Sequence, residues 1–308
     1  MPISTQHTVL ITGASGMVGQ ALIRTLVEKG YRVHALVRTS IPDTQHIRYF
    51  FWDVEKNIID QTCIANVETI IHLAGAPIGK LPWSSNIRKQ ILNSRIDSLA
   101  LVYKLLSTTE HDLKTLISAS ATGYYGHRGN EWLTEDQAPA DDFLGQTCLA
   151  WEQLVAQGKL YGLRTVSLRT GIVLAKDKGA LPLIASSIKK GFGAALGTGN
   201  QYLPWIHLED VVQAYLFALE HDDLQGAYNL TAPEAVTNKQ FTKAIADLFQ
   251  KPLWLPSIPA FLLRMVLGKM SELLLDSARI SPQKIIQAGF QFKYSTLEAA
   301  LHNILGKA

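Results

Sequence analysis

The stretch His7-Thr8-Val9-Leu10-Ile11-Thr12-Gly13-Ala14-Ser15-Gly16-Met17-Val18-Gly19 sets the architecture of this chain. Its opening β-branched run predicts a strand over His7–Thr12. Glycines at GxxGxxG spacing follow, and Val18–Lys29 then carries apolar residues at helical spacing, with Gly30 placed to end the helix. Strand, glycine turn and helix in that order aim backbone amides and a helix N-terminus at one point. That arrangement holds a pyrophosphate.

Outward from this unit the pattern repeats. Arg32–Val37, Ile47–Trp52, Glu68–Leu73, Lys114–Ala119 and Leu163–Arg169 read as strands, and Asn86–Ser107 and Thr147–Tyr161 as helices. Strands alternating with helices require right-handed crossovers, so the expectation is an α/β fold with a doubly wound parallel sheet of Rossmann type. Ligands of such sheets sit at the carboxyl ends of the strands. Beyond Arg169, Gly179, Gly191, Gly193, Gly197 and Gly199 punctuate short apolar pieces. Trp205-Ile206 is expected to return to the sheet before a helix over His207–Glu220, and Ala227–Ala308 to be mostly helical, broken at Pro252, Pro256 and Pro259. The division expected is a dinucleotide-binding domain over residues 1–170 plus about 203–222, and a smaller, mostly helical C-terminal substrate lobe over 171–202 and 223–308.

Composition removes several classes of function. The chain has 308 residues, 47% apolar and 18% charged, which is enough to bury a core without a partner. A formal charge of +3, spread along the chain, argues against a nucleic-acid reader. Cys63 and Cys148 form neither a disulfide framework nor a metal-ligand spacing, so a reducing, cytoplasmic setting and no metal are expected. Met1–His7 has no basic region followed by an apolar run, and Ile258–Leu275 is broken by Arg264, Lys269 and Glu272. Neither a secretion signal nor a membrane span is expected. A small-molecule ligand is the partner class that remains.

Gly13, Ser15, Gly16, Met17 and Gly19 are expected to hold the cofactor's phosphates. About twenty residues past the glycines, where an NAD enzyme places an acid for the ribose hydroxyls, stands Arg38. A guanidinium matches the 2′-phosphate of NADP in charge and geometry, so NADP(H) is expected over NAD(H); a plain surface charge is the alternative. Asp53 is a candidate adenine contact or a turn aspartate, and Leu73-Ala74-Gly75 is small enough to approach the ribose closely.

The motifs TGASGMVG (12–19), HLAGAP (72–77), SASATGYYG (118–126), LRTGIVL (168–174), WIHLEDV (205–211) and AGFQFKYSTLEAAL (288–301) together resemble the extended short-chain dehydrogenase/reductase superfamily. The resemblance is closer to its NAD-dependent epimerase/dehydratase-like members of the YfcH type and covers nearly the whole chain. It implies a catalytic Ser or Thr after the fifth strand, a Tyr, and a Lys four residues beyond that Tyr. Ser120 matches the first. Aligned through Trp151-Glu152, Leu144 falls at the Tyr and Cys148 at the Lys. Hydride transfer to a carbonyl needs a proton donor at the oxygen, and leucine offers none. Tyr124 and Tyr125 are the candidate replacements, with Ser120 orienting the substrate oxygen. Arg95 stands where relatives have Asn, facing the nicotinamide or an anionic substrate, or else solvent. The resemblance also implies a homodimer through a helix pair.

No base is apparent for Cys148, which reads as unreactive. Asp210 reads as a helix N-cap beside His207. Trp83, Lys80, Trp205, Tyr202 and Arg169 are pocket positions by motif, with Trp83 and Trp205 as aromatic walls. The function expected is an NADP(H)-dependent oxidoreductase, or a nucleotide-sugar epimerase-like enzyme, acting on a small carbonyl or sugar-like substrate. The alternative is a non-catalytic NADP(H)-binding regulatory or redox-sensing protein.

Overall fold

The structure, a computed structural model, describes residues 7–79 and 83–306. The first half runs β1 (Thr8–Thr12), α1 (Met17–Glu28), β2 (Arg32–Val37), β3 (Ile47–Asp53), β4 (Ile58–Ile59), β5 (Val67–His72), α2 (Ser85–Thr108), β6 (Thr115–Ala121), β7 (Trp132–Leu133) and α3 (Phe143–Ala156). There follow β8 (Arg164–Thr170), β9 (Ile172–Leu174), α4 (Leu181–Lys189), β10 (Tyr202–Leu203), β11 (Trp205–His207), α5 (Leu208–Glu220) and β12 (Gly226–Leu230). The rest is β13 (Val236–Thr237), α6 (Asn238–Leu248), α7 (Ala260–Leu267), α8 (Glu272–Leu275), β14 (Arg279–Ile280), α9 (Gln283–Gln287) and α10 (Leu297–Leu305).

One eight-stranded sheet has the order β12-β8-β6-β5-β1-β2-β3-β4. Its pairings are parallel except that β4 returns antiparallel to β3. Every residue of β1 is buried, because helices cover both faces of the strand, and its sequence is accordingly apolar in a run rather than alternating. The pleat sends Val9 and Ile11 into a core with Leu22 and Leu26 of α1 and Val211 and Leu219 of α5. Leu10 points the other way, into a core with Leu99 and Leu106 of α2 and Trp151 and Val155 of α3. A third core around Trp205, Phe241, Ile245 and Leu301 builds the C-terminal lobe. The chain leaves β1 toward β2 on one side and returns to β5 on the other. The carboxyl ends of β1 and β5 therefore flank the crevice at the topological switch point.

Local departures from the sequence expectation have physical causes. Helix α3 starts at Phe143, not Thr147, because Asp142 caps it by accepting from the Gly145 amide at 2.8 Å. Gly145 in its first turn leaves room for the Ala140 carbonyl oxygen, from which a Cβ would lie only 2.3 Å. The turn expected to extend this helix to Tyr161 is 3-10, over Gln157–Tyr161. Strand β11 pairs with β9 in a separate ribbon and does not rejoin the main sheet. The strand that does is β12, inside the stretch expected to be helical; its buried Asn229 interrupts the apolar run that marks a strand. Among the described residues, no helix is long and apolar enough to cross a membrane.

Candidate active site

The glycine loop closes the switch-point crevice. Gly13 has φ +69°, a left-handed conformation that favours glycine, and a Cβ there would stand 2.7 Å from the Leu73 carbonyl. A Cβ on Gly19 would stand 2.4 Å from the Gly13 carbonyl oxygen, so α1 packs onto the loop only without a side chain. Helix α1 begins after Gly16 with no side-chain cap and no acid in its first turn. Its first amides, from Met17 onward, are left facing the crevice with the positive end of the helix dipole, and Ser15 beside them is exposed. These residues fit a dinucleotide's pyrophosphate.

A buried clip holds β1 to β5 beneath the loop. Thr12 Oγ1 accepts from the amides of Leu73 at 3.0 Å and Ala74 at 3.1 Å, so its own hydrogen goes to His72 Nδ1, 2.9 Å away. This leaves His72 Nε2–H to donate to Ser98 Oγ at 3.3 Å, while Ser98 donates to the Arg95 carbonyl at 3.1 Å. Burial pushes the His72 pKa down to about 3 and keeps the ring neutral. With Thr12 engaging them, the Leu73 and Ala74 amides are not free to donate to a ligand.

Arg38 is the first residue after β2, the strand beside β1. Ile11 pairs with Ala35, so the residues after β1 and β2 leave the sheet side by side. Arg38 is exposed and makes no ion pair among the described residues. Asp53 is committed locally: its carboxylate accepts from the Lys56 amide at 3.1 Å and pairs with Lys56 Nζ at 3.3 Å, and the amide bond leads in holding its pKa down.

Ser120, one residue before the end of β6, is in register with Arg169 of β8, so both side chains project to one face, where α3 lies. Ser120 Oγ donates to Glu152 Oε1 at 2.5 Å. Arg169 grips the same carboxylate bidentately, Nε to Oε1 at 2.9 Å and Nη2 to Oε2 at 2.8 Å. Burial works against the Arg169 charge, and the bonds to Glu152 more than offset it. Arg169 Nη1 also donates to Tyr125 Oη at 2.9 Å, and Tyr125 donates to Asn229 Oδ1 at 2.6 Å.

The two tyrosines after Ser120 therefore differ. Tyr125 is fully buried, with its hydroxyl engaged on both sides and its pKa pushed up to about 12 by burial. It stands in the packed interior with no free hydroxyl valence, contrary to a direct catalytic role. The Tyr124 ring lies under the Arg169 guanidinium, 3.5 Å from its Cζ, and its hydroxyl bonds none of the described residues.

Leu144, Cys148 and Glu152 fall four residues apart on one stripe of α3, facing β6. Leu144 packs on Gly123, whose Cβ would lie 3.3 Å from that of Leu144. Burial pushes the Cys148 thiol up to about 12, with Glu152 adding to the effect, so it is un-ionised near neutrality. Arg95 lies across from this stripe, over the Trp151 ring at 5.1 Å.

The aromatic candidates are packed rather than open. Trp83 is buried and donates to the Ile78 carbonyl at 2.9 Å, while Trp205 is a fully buried member of the third core and donates to the Glu234 carbonyl at 2.9 Å. Neither is an open aromatic wall. Tyr202 stacks against Arg279, and Lys80 lies outside the described residues. The N-cap of α5 is His207, not Asp210: His207 Nδ1 accepts from the Glu209 amide at 3.0 Å. Asp210 instead accepts from the amides of Lys293 at 2.7 Å and Tyr294 at 3.1 Å, fastening the C-terminal segment to the sheet domain. Glu152 and Asn229 were not foreseen as site residues; the four-residue stripe on α3 is the signal that could have found Glu152. Among the described residues no cluster of metal-ligating side chains occurs.

Residues 9–231 match the family described as the NAD dependent epimerase/dehydratase family, and residues 258–304 match a domain of unknown function, DUF1731. The chain is 39% identical over 300 residues to "Epimerase family protein YfhF" of Bacillus subtilis, spanning 96% of this chain and 97% of that protein. It is 35% identical over 299 residues to "Epimerase family protein ML0860" of Mycobacterium leprae, spanning 97% and 95%. Among solved structures, human epimerase family protein SDR39U1 (isoform 2) with NADPH superposes with a TM-score of 0.83 over 98% of this chain and 100% of that one; at 24% identity the likeness is one of fold. A nucleoside-diphosphate sugar epimerase from Corynebacterium glutamicum is 30% identical with a TM-score of 0.80, over 98% of this chain and 58% of that one.

Proposed function

Because this chain belongs to the NAD dependent epimerase/dehydratase family, we propose that it is an NADP(H)-dependent oxidoreductase or epimerase acting on a small carbonyl or sugar-like substrate, with Ser120 backed by Glu152 in place of the Tyr and Lys of its superfamily. The observation that carries this reading is the Ser120–Glu152 bond at the carboxyl end of β6, on the crevice side of the sheet. NADP(H), when bound, supplies or accepts the hydride. Gly13, Gly16 and Gly19 hold its pyrophosphate, and Arg38 meets the 2′-phosphate. That the human relative carries NADPH supports the same preference.

The direction of the Ser120 hydrogen bond bears on the chemistry. Its proton points at Glu152, which leaves the Ser120 lone pairs to accept from a substrate hydroxyl. In the oxidative direction the hydroxyl proton passes to Ser120 Oγ as the Ser120 proton passes to Glu152; reduction runs the same transfers backward. Arg169 fixes the carboxylate in place, and Tyr125 and Asn229 fix Arg169. The tyrosine expected as a proton donor is on this reading a positioning residue.

The test is to titrate NADPH and then assay the loaded protein against carbonyl and nucleotide-sugar panels. Turnover that follows the reduced nicotinamide supports the reading. Tight NADPH binding with no turnover across both panels would favour a non-catalytic sensor.

A further inference from the structure

We infer that Arg95 is a substrate-binding residue, the fixed cation that takes a carboxylate or phosphate oxygen of the ligand beside Ser120, so that the substrate of this site is an anion. The inference rests on the crevice being an NADP(H) site.

The guanidinium of Arg95 bonds only main-chain carbonyls, Nη1 donating to Ile91 O at 2.7 Å and to Ala76 O at 3.3 Å. Its Nε and Nη2 have no partner, and no carboxylate lies within ion-pair distance of it, among the described residues. Arg169, by contrast, is fully matched by Glu152. The ionisable side chain nearest to Arg95 in charge effect is Cys148, which is a neutral thiol. Half-buried and uncompensated, Arg95 is a donor set awaiting an acceptor.

Its placement separates it from the cofactor's phosphates. Arg95 belongs to α2, which packs with α3 on the face of the sheet that carries Ser120 and Glu152. The pyrophosphate-holding α1 packs on the opposite face. Arg38 leaves β2, two strands from β5 and hence roughly 10 Å away at the sheet, beyond the glycine loop that follows β1. Arg95 lies against Gly75 at the exit of β5, where a Cβ would stand 3.2 Å from its Cζ. Its two carbonyl bonds and the Trp151 ring beneath it fix the plane of the fork. A planar fork whose Nε/Nη2 edge is free suits a carboxylate or phosphate.

The probes are pyruvate and inorganic phosphate, with uncharged hydroxyacetone as control, read as the rise in Tm of wild type, Arg95→Lys and Arg95→Gln, each with and without saturating NADPH. Expected is stabilisation of wild type by at least one of the anions but not by hydroxyacetone, partial retention in Arg95→Lys, and an anion affinity weaker by about tenfold or more in Arg95→Gln. NADPH affinity should stay within about twofold across the three proteins. Equal anion stabilisation of Arg95→Gln, no anion effect on wild type, or an Arg95→Gln protein that loses NADPH while keeping its anion response would overturn the assignment. Absence of NADPH binding by wild type would sink the functional reading instead, and the cofactor-free arms would still decide the role of Arg95.

Discussion

Ser120 and Glu152, 32 residues apart in sequence, are joined by a 2.5 Å hydrogen bond, and the acceptor is the carboxylate that Arg169 grips with two further bonds. The side chains of Arg169 and Glu152 are only 4% and 14% exposed, so removing one partner strands a charge away from water. Glu152→Ala should cost about 3–5 kcal/mol in urea unfolding. Glu152→Gln, which still accepts from Ser120 and Arg169, should cost distinctly less. Equal losses would mean that the charge of the carboxylate, rather than its hydrogen bonds, is what Arg169 needs.

Arg38 is expected to select the cofactor. Arg38→Ala should weaken NADPH roughly tenfold to a hundredfold while changing NADH little, because only the 2′-phosphate is lost as a partner. Fluorescence titration of both nucleotides measures this, and equal weakening of the two would assign Arg38 elsewhere.

Thr12 completes the clip under the glycine loop. Thr12→Val keeps the shape, strands the Leu73 and Ala74 amides and removes the donor to His72. A loss of about 1–3 kcal/mol is expected. NADPH affinity should fall with it, since Gly13 rests against Leu73. Thr12→Ser should retain most of both, and its failure to do so would mean that the hydroxyl network is not the cause.

Burial of neutral His72 sets a pH dependence. Its folded pKa, about 3, lies below the unfolded value of 6.5, so between these limits the unfolded chain binds the extra proton and stability falls as pH falls. His7, His34 and His207 are shifted in the same direction, burial leading in each. Asp276 opposes them: burial raises its pKa from 3.8 to about 6, so its contribution is lost as pH rises through that value. Urea unfolding near pH 5 and pH 7.5 should show the protein weaker at the lower pH, by less in His72→Gln. An unchanged difference in the variant would remove His72 as a cause.

The legible features were those in which one short segment carries its own physics. The strand–glycine–helix unit around Gly13 and the arginine after β2 are local, and the crossover rules then order the sheet. What stayed hidden is made by packing between distant segments. Glu152 reaches Ser120 only once α3 lies across β6 and β8. Tyr125 resembles a candidate acid until Asn229, 104 residues later, takes its proton. Asp210 has the pattern of a cap, and only the approach of Lys293 and Tyr294 reveals which amides it serves.

Whether Ser120 works through Glu152 on a cofactor held by the glycine loop is measured by kcat for wild type, Ser120→Ala and Glu152→Gln at saturating NADP(H), on one substrate that wild type turns over. Both variants should lose about 100-fold or more in kcat, with cofactor affinity unchanged. Wild-type kcat in Glu152→Gln, with Ser120→Ala also active, would contradict the account.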